Sequence, residues 1–248
     1  MSETQNRNIN QLIDIHSHIL PQVDNGSVSM EQTKNMLKIA YEEGITYIIA
    51  TPHYSVGCRN ADKEELYNKL KAVRAEAEKI NENFTIDIGN EVYYSEDIIE
   101  HLRKEKALTL AGTRYVLVKF AETDPYETIK TGIHRLLIYG YYPILAHVEK
   151  YDCLYNNYED IYNLIHLGCY MQMNISSLNK ITDKKTAFCI NLIKYDLVHI
   201  ISTDSHSDYN RAPRMLEGLN RIRKKCGEQV INQLFIENTR RLIHNERI

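Results

Sequence analysis

The feature that most constrains the fold of this 248-residue chain is the alternation of short apolar segments with longer amphipathic ones. The apolar segments are rich in Val, Ile and Tyr, and several are apolar throughout, which is typical of strands buried on both faces of a parallel sheet. The seven predicted strands are Leu12–His16, Ile45–Pro52, Phe84–Glu91, Tyr115–Phe120, Tyr142–Val148, Cys169–Ile175 and Leu197–Thr203. Seven strands that alternate with helices predict an α/β fold with a barrel-like parallel sheet, a TIM-like (β/α)7 arrangement.

The predicted helices between these strands have recognisable ends. Ser29 and Gln32 have the spacing of a capping box, and Gly44 follows the same helix as a stop signal. The helices are Ser29–Glu43, Asp62–Asn81, Ser95–Glu105, Pro125–Tyr139, Tyr158–Leu167 and Asp183–Tyr195, followed by three closing helices, Pro213–Lys225, Glu228–Glu237 and Thr239–Asn245. No linker rich in Pro, Gly or Ser divides the chain, so we predict a flexible lead-in over residues 1–10 and a single domain over residues 11–248.

Charge and hydropathy exclude several classes of function. Thirty Lys and Arg residues balance 33 Asp and Glu residues, so we expect no nucleic-acid partner. Apolar runs such as Ile45–Ala50 fall far short of the roughly 20 residues that a membrane span needs, and the polar first residues lack the apolar stretch of a signal peptide. We therefore expect a cytoplasmic protein with no membrane insertion.

The five cysteines point in the same direction. They are scattered, form no C-x-x-C pair and fit a reducing compartment. Cysteine-dependent tyrosine phosphatases need an arginine six residues after the nucleophile. At that distance the chain has only Glu64, Glu159, Ile175, Tyr195 and Asn232. Phosphate chemistry with a cysteine nucleophile is therefore excluded.

Five of the predicted strands end in histidine or an acidic residue. In chain order these residues are His16 and His18, His53, Glu91, His147, and Asp204 with His206, and Asp24 lies just beyond the first strand. The carboxyl ends of the strands of an α/β barrel open onto one face, where active sites are built. We therefore expect these side chains to converge.

The types of side chain predict a metal site. An H-x-H pair on a strand places both imidazoles on the same side, as at His16 and His18, and the D-x-H of Asp204 and His206 repeats that geometry. Imidazoles combined with carboxylates are ligands for Zn, Mn or Fe rather than for a soft thiolate site.

In this order the motifs resemble the PHP superfamily, the polymerase and histidinol phosphatase domains. The resemblance covers nearly the whole chain after Asn10 and is closest to the manganese-dependent protein tyrosine phosphatases of bacterial capsule and exopolysaccharide regulation. It rests on the segments Ile13–Pro21, Val23–Gly26, Ala50–His53, Glu91–Tyr94, Ala146–Tyr151 and Ser202–His206.

The resemblance implies a distorted seven-stranded TIM-like barrel that holds two or three divalent ions, Mn²⁺ above all, with Zn or Fe as alternatives. The implied ligands are His16, His18, Glu91 and Asp204 for the first ion, Glu91 and His147 with a further glutamate for the second, and Asp24, His53 and His206 for the third. Lys150 and Arg211 correspond to the residues that hold phosphate, and His206 or His53 would protonate the leaving group.

The chain departs from the family pattern at three positions. Lys119 stands where the family has the strand-four glutamate, and Asn25 stands where a second aspartate is usual. A protonated lysine cannot ligate a metal, although its ammonium could replace part of the missing positive charge. Lys150 replaces an arginine, which keeps the charge and loses the bidentate fork.

The function implied by the resemblance is hydrolysis of phosphotyrosine on a protein, with the nucleophile a water activated by metal. The expected substrate is a bacterial tyrosine kinase that controls surface polysaccharide. Two alternatives stay open. One is hydrolysis of a small phosphomonoester such as histidinol phosphate. The other is a degenerate, non-catalytic protein that binds a phosphorylated partner, which Lys119 and Asn25 suggest. The sequence leaves the oligomeric state undetermined.

Overall fold

A computed structural model describes residues 12–179 and 184–248. The predicted lead-in over residues 1–10 and the predicted start of the sixth helix at Asp183 lie outside the described residues. Within the described part, the strands are β1 (Leu12–Ser17), β2 (Ile45–Ala50), β3 (His53–Tyr54), β4 (Thr85–Ile88), β5 (Glu91–Tyr93), β6 (Tyr115–Lys119), β7 (Tyr142–Leu145), β8 (Tyr170–Asn174) and β9 (Ile200–Ser202).

All pairs of described strands are parallel, in two sheets of order β1-β2-β4 and β3-β5-β6-β7-β8-β9. Two predicted strands are each split in two. Pro52, which has no N–H to donate to a ladder, separates β2 from β3. Asn90 separates β4 from β5, and its amide nitrogen donates to the Pro52 carbonyl at 2.9 Å. The two sheets therefore meet at these interruptions.

The sheet curls so that its last strand approaches its first. The His18 amide donates to the Ser205 carbonyl at 2.8 Å, and the Asp204 amide donates to the His16 carbonyl at 2.9 Å. The hydroxyls of Ser17 and Ser205 lie 2.8 Å apart. The architecture is thus an α/β fold with a curled parallel sheet.

The helices of the described residues are α1 (Met30–Glu42), α2 (Lys63–Ile80), α3 (Ile98–Arg103), α4 (Tyr126–Ile138), α5 (Tyr158–Leu167), α6 (Lys184–Lys194), α7 (Leu216–Cys226), α8 (Glu228–Asn232) and α9 (Asn238–Ile243). The predicted cap at Ser29 is confirmed, because its hydroxyl accepts from the Gln32 amide at 3.1 Å. Within the described residues, the structure contains no helix that is both long and apolar enough to cross a bilayer.

The apolar side chains form two buried clusters on opposite faces of the sheet. In β6, Val116 and Val118 belong to the larger cluster, which extends to the helices, whereas Tyr115 and Leu117 belong to a smaller one. Both faces of β6 are therefore buried, which explains why its sequence is apolar throughout. At the carboxyl ends of the strands, the buried side chains are polar ones such as His16, Glu91 and Asp204.

Candidate active site

The predicted ligands lie together at the carboxyl ends of the strands. They come from the end of β1 and the loop after it, from the first residues of β3 and β5, and from the segments after β7 and β9. Seven of them are buried or nearly so: His16, His18, Asp24, Glu91, His147, Asp204 and His206. The eighth, His53, keeps 30% of its side chain exposed.

The four residues expected around a first ion are grouped most tightly. His16 Nε2 and His18 Nε2 are 3.3 Å apart, and they lie 3.5 and 3.6 Å from Asp204 Oδ1. The Glu91 carboxylate completes the group at 3.7 Å from His16 and 3.6 Å from His18. Ligand atoms about 2.1 Å from a tetrahedral ion are roughly 3.4 Å apart, so this group fits a divalent cation.

Two further combinations of side chains bring possible ligand atoms within 4.8 Å of one another. They are His18 with His53 and His206, and His16 with His147 and Asp204. Glu91 Oε1 also lies 2.8 Å from His147 Nε2. The structure therefore brings together the histidines and acids that the sequence predicted to converge.

Two of these residues have a left-handed backbone. The φ angle is 54° at His147 and 52° at Asp204, and each residue lies two positions after the end of a strand, β7 or β9. A residue with a Cβ adopts this conformation only at a cost, so the surrounding contacts must hold it there. The turn redirects each side chain into the site.

Four imidazoles share one orientation, in which Nδ1 faces an acceptor oxygen. The pairs are His16 with Gln172 Oε1 at 3.4 Å, His18 with Asp24 Oδ2 at 2.6 Å, His147 with Asn174 Oδ1 at 3.0 Å, and His206 with the Asp204 carbonyl at 3.0 Å. An acceptor at Nδ1 keeps the ring proton there and leaves the Nε2 lone pair for a cation.

The chemistry of this donor set also fits a cation. The Nε2 atoms of His16 and His18 face each other, and their lone pairs repel unless a proton or a metal lies between them. Burial lowers the pKa of His18, whereas at His16 the carboxylates of Asp204 and Glu91 outweigh burial and raise the pKa. The cluster thus stabilises positive charge at its centre.

The two central carboxylates stay ionised. Burial alone would raise the pKa of Glu91, but the neighbouring rings of His16, His147 and His53 hold that pKa well below its usual range. Burial likewise opposes ionisation of Asp204, and the neighbouring His16 and His147 lower its pKa. Both groups are therefore available as anionic ligands.

Asp24 contacts the ligands and lies outside the three metal-binding groups above. Its Oδ2 accepts from the His53 amide at 2.9 Å and faces His18 Nδ1, and its Oδ1 accepts from the Gly26 amide at 2.8 Å. A Cβ at position 26 would lie 2.5 Å from the His18 Cβ and closer still to the His18 carbonyl. Only glycine therefore lets this loop bring Asp24 against His18.

Lys119, at the end of β6, introduces positive charge beside the central glutamate. Its Nζ lies 3.3 Å from Glu91 Oε2 and 3.3 Å from His53 Nδ1. An ammonium therefore occupies the position at which the resemblance implies a third ligand for the second ion.

A cavity of about 330 Å³ opens above the cluster. Arg211 donates to Asp204 Oδ2 at 2.6 Å, and Lys150 Nζ lies 3.6 Å from the same oxygen. The cavity is also lined by Asn25, Tyr93, Lys119 and Glu122. Its walls thus offer three cations to an anionic group.

The sequence reasoning missed the contribution of β8. Gln172 and Asn174 are fully or almost fully buried and contact the histidines from the second layer of the site. Two polar residues with a period of two in a buried strand were the available signal.

Asp14 is also buried, and its carboxylate accepts from the Thr203 amide at 3.0 Å and from the Thr203 hydroxyl, which ties β1 to the segment after β9.

A curled parallel sheet with a cluster of histidines and acids at its carboxyl edge defines the PHP-like class of metal-dependent proteins. Comparison with known proteins identifies the family. The family model for capsular polysaccharide synthesis proteins, CpsB/CapC, matches residues 12–244. The chain belongs to the CpsB/CapC family.

Individual relatives cover almost the whole chain. The tyrosine-protein phosphatase CpsB of Streptococcus pneumoniae is 35% identical over 96% of this chain and 100% of its own length. A putative tyrosine-protein phosphatase CapC of Staphylococcus aureus is 30% identical over 96% of this chain and 93% of its own. A solved structure, from work on YwqE of Bacillus subtilis and CpsB of S. pneumoniae as unique metal-dependent tyrosine phosphatases, matches with a TM-score of 0.88 at 27% identity over 96% of each chain.

Proposed function

We propose that this chain is a metal-dependent phosphatase that hydrolyses phosphotyrosine on a protein. The observation that carries the proposal is the buried group of His16, His18, Glu91 and Asp204, which opens into a cavity lined by Arg211. The activity named for the relatives in S. pneumoniae and S. aureus supports the same reaction.

The roles we propose for the cations follow from their positions. Bound divalent ions would act as Lewis acids and lower the pKa of water to about 7. Arg211 and Lys150, which pair with Asp204 in the structure, would hold the phosphoryl oxygens. Lys119 would add a fixed positive charge at the same face of the cavity.

We assign proton donation to a His53 ring that is not bound to a metal ion, rather than to His206. Burial and the neighbouring His18 lower the pKa of His206 to about 3, so this ring is neutral at pH 7 and suits ligation. His53 is the more exposed of the two and faces the cavity. A tyrosyl oxygen, with a solution pKa near 10, is a good enough leaving group to need only modest proton assistance.

The substrate we propose is a bacterial tyrosine kinase of surface-polysaccharide synthesis, in the cytoplasm. The family description, capsular polysaccharide synthesis, supports this context. Tyr93 lines the cavity with 37% of its surface exposed, which suits contact with a phenyl ring.

The cofactor we propose is manganese, two or three ions per chain. Three groups of imidazole and carboxylate atoms support this number, and this ligand set suits Mn²⁺ as well as Zn or Fe. The eight residues of the ligand set are His16, His18, Asp24, His53, Glu91, His147, Asp204 and His206. Asp24 would position His18 and His53, which it contacts, in addition to any direct contact with an ion.

The test is hydrolysis by the purified full chain in added Mn²⁺, with a phosphotyrosyl peptide, histidinol phosphate and p-nitrophenyl phosphate as substrates. We expect metal-dependent turnover that is highest for the peptide, and we expect Asp204→Asn to abolish it. Asp196→Asn, in the turn before β9, is the matched control and should leave turnover unchanged. Faster turnover of histidinol phosphate would instead support a phosphatase of small phosphomonoesters.

A second candidate function is binding of a phosphorylated partner without catalysis. The contact of Lys119 with Glu91 and His53 favours it, because the ammonium neutralises a carboxylate that the reaction needs for metal. Absence of turnover at every Mn²⁺ concentration, combined with retained binding of the phosphotyrosyl peptide, would select this function.

We further propose that residues 11–248 form one domain in which the strands occupy the seven strand positions of a distorted barrel. In this arrangement β2 and β3 together fill one position, and β4 and β5 together fill another. The bridge between Ser17 and Ser205 supports closure of the barrel between its first and last strands. Limited proteolysis should leave this domain intact. An experimental structure with an open gap between β1 and β9 would contradict the barrel.

A further inference from the structure

We propose that Gln172 and Asn174 form an amide chain that sets the ring tautomer of His147 and orients the Asp204 carboxylate. This inference rests on the proposed function in assuming that the site binds a divalent cation. Both residues lie on β8, two positions apart, so their side chains point to the same side of the sheet. They are positioning residues, because they act through the ligands.

The direction of every hydrogen bond in the amide chain follows from its first bond, which the backbone of His147 makes. The backbone N–H of His147 can only donate, and it donates to Gln172 Oε1 at 3.0 Å. The other end of that amide, Nε2, is therefore the donor that meets Asn174 Oδ1 at 3.0 Å. Because Asn174 Oδ1 accepts this bond, its own Nδ2 is the donor that reaches Asp204 Oδ2 at 2.8 Å.

These bond directions determine which nitrogen of the His147 ring carries the proton. Asn174 Oδ1 also lies 3.0 Å from His147 Nδ1, and an oxygen already established as an acceptor requires a proton on that nitrogen. Nε2, which lies 2.8 Å from Glu91 Oε1, is then free to give its lone pair to a cation that both atoms bind. Without the amide, the ring could place its proton on Nε2 and donate it to Glu91, which would occupy both ligand atoms.

The amide chain also orients a second ligand, Asp204, and is itself held in place by Glu149. Asn174 is the amide donor to Asp204, whose left-handed backbone leaves it dependent on such contacts. The Asn174 backbone N–H donates to Glu149 Oε1 at 3.1 Å, and the Ser177 hydroxyl donates to the same oxygen at 2.8 Å. The buried Glu149 carboxylate therefore fixes the end of β8 and with it the amide.

The first experiment compares Asn174→Ala with Asn238→Ala, which removes a similarly buried amide that binds the His199 carbonyl away from the site. Calorimetric Mn²⁺ titration of the full chain is expected to show 10–100-fold weaker binding in Asn174→Ala, the usual size for loss of such a partner. The control should bind Mn²⁺ as the wild type does. The melting temperatures of the two EDTA-treated variants should fall by similar amounts.

A second variant separates the two roles of Asn174. Asn174→Asp keeps the acceptor for His147 Nδ1 and replaces the donor to Asp204 with a repelling carboxylate. Long-range ¹H–¹⁵N spectra of the EDTA-treated proteins report the protonated nitrogen of His147. We expect a proton on Nδ1 in the wild type and in Asn174→Asp, and a shift to Nε2 in Asn174→Ala.

The outcomes separate this inference from the proposed function. Failure of the wild type to bind Mn²⁺ would overturn both. Tight Mn²⁺ binding by the wild type and equally tight binding by Asn174→Ala would overturn the inference alone. A His147 ring protonated on Nε2 in the wild type would also overturn it, even if Asn174→Ala failed to fold.

Discussion

At position 119 the chain places a lysine within 3.3 Å of the central glutamate, and a divalent ion would compete for the same carboxylate. The resemblance implies a glutamate there, so this side chain both removes a ligand and adds a charge.

We predict that Lys119→Glu raises Mn²⁺ occupancy by about one ion per chain and increases phosphatase turnover, because a charged ligand replaces an ammonium. Elemental analysis after dialysis and p-nitrophenyl phosphate hydrolysis measure the two effects. Lys119→Gln is the control, since it removes the charge without adding a carboxylate. If Lys119→Glu leaves both quantities at the wild-type level, the assigned role of Lys119 is wrong.

His199 illustrates a residue whose effect is on stability. Its Nδ1 accepts from the Met171 amide at 3.0 Å, and burial lowers its pKa to about 4. The unfolded chain takes up this proton below about pH 6.5, whereas the folded chain resists it until about pH 4, so folding stability falls as the pH drops through this window.

We predict that His199→Asn removes about 3 kcal/mol of the stability loss between pH 6.5 and 4, because an Asn oxygen can accept the same hydrogen bond and does not titrate. Urea unfolding of EDTA-treated protein at several pH values measures the slope. An unchanged slope in the variant would contradict the assignment.

At the scale of elements, the loop between β1 and α1 is as important to the site as the strands. Gly26 lets this loop pass against His18, which places Asp24 between the His18 ring and the His53 backbone. The sequence marked this segment by its resemblance to a family motif. The close backbone approach that requires glycine is visible only in the folded chain.

We predict that Gly26→Ala weakens Mn²⁺ binding by 10–100-fold and lowers stability by about 1–3 kcal/mol, because the added Cβ must displace the loop from His18. Gly140→Ala is the matched control: Gly140 has a φ of 84° and open space around it, so the change adds backbone strain far from the ligands. Equal metal affinity in Gly26→Ala and Gly140→Ala would disprove the role of this loop.

For the molecule as a whole, the site joins segments that are distant in sequence. Ligands come from β1, from β5 and from the segments after β7 and β9, so a cation bound to them would link the two ends of the curled sheet. Because the unfolded chain cannot gather these ligands, binding must stabilise the fold.

We predict that Mn²⁺ at 100 times its dissociation constant stabilises the protein by about 2.7 kcal/mol, which raises the melting temperature by roughly 5–10 °C relative to EDTA-treated protein. The gain should shrink as the pH falls to 5.5, because the pKa of His16 is raised and a proton on this ring competes with the cation. Thermal unfolding at pH 7.5 and 5.5 measures both effects. A melting temperature that is insensitive to Mn²⁺ at pH 7.5 would contradict the proposed centre.

The sequence by itself determined the α/β alternation, the histidines and acids at the strand ends and the lysine at position 119. These features are periodic or local, so they can be read from neighbouring residues. Two strands were nevertheless predicted whole where the structure divides them, because the breaks at Pro52 and Asn90 depend on contacts between strands.

Only the tertiary structure decided the second layer of the site. The contact of Gln172 with His147, the bond from Asn174 to Asp204 and the approach of Asp24 to His18 join separate segments of the chain. The left-handed turns at His147 and Asp204 are of the same kind, since neither residue type demands that backbone. Hydrogen-bond direction and backbone strain depend on distances that arise only when the sheet curls, so the ligand types could be predicted and their orientation could not.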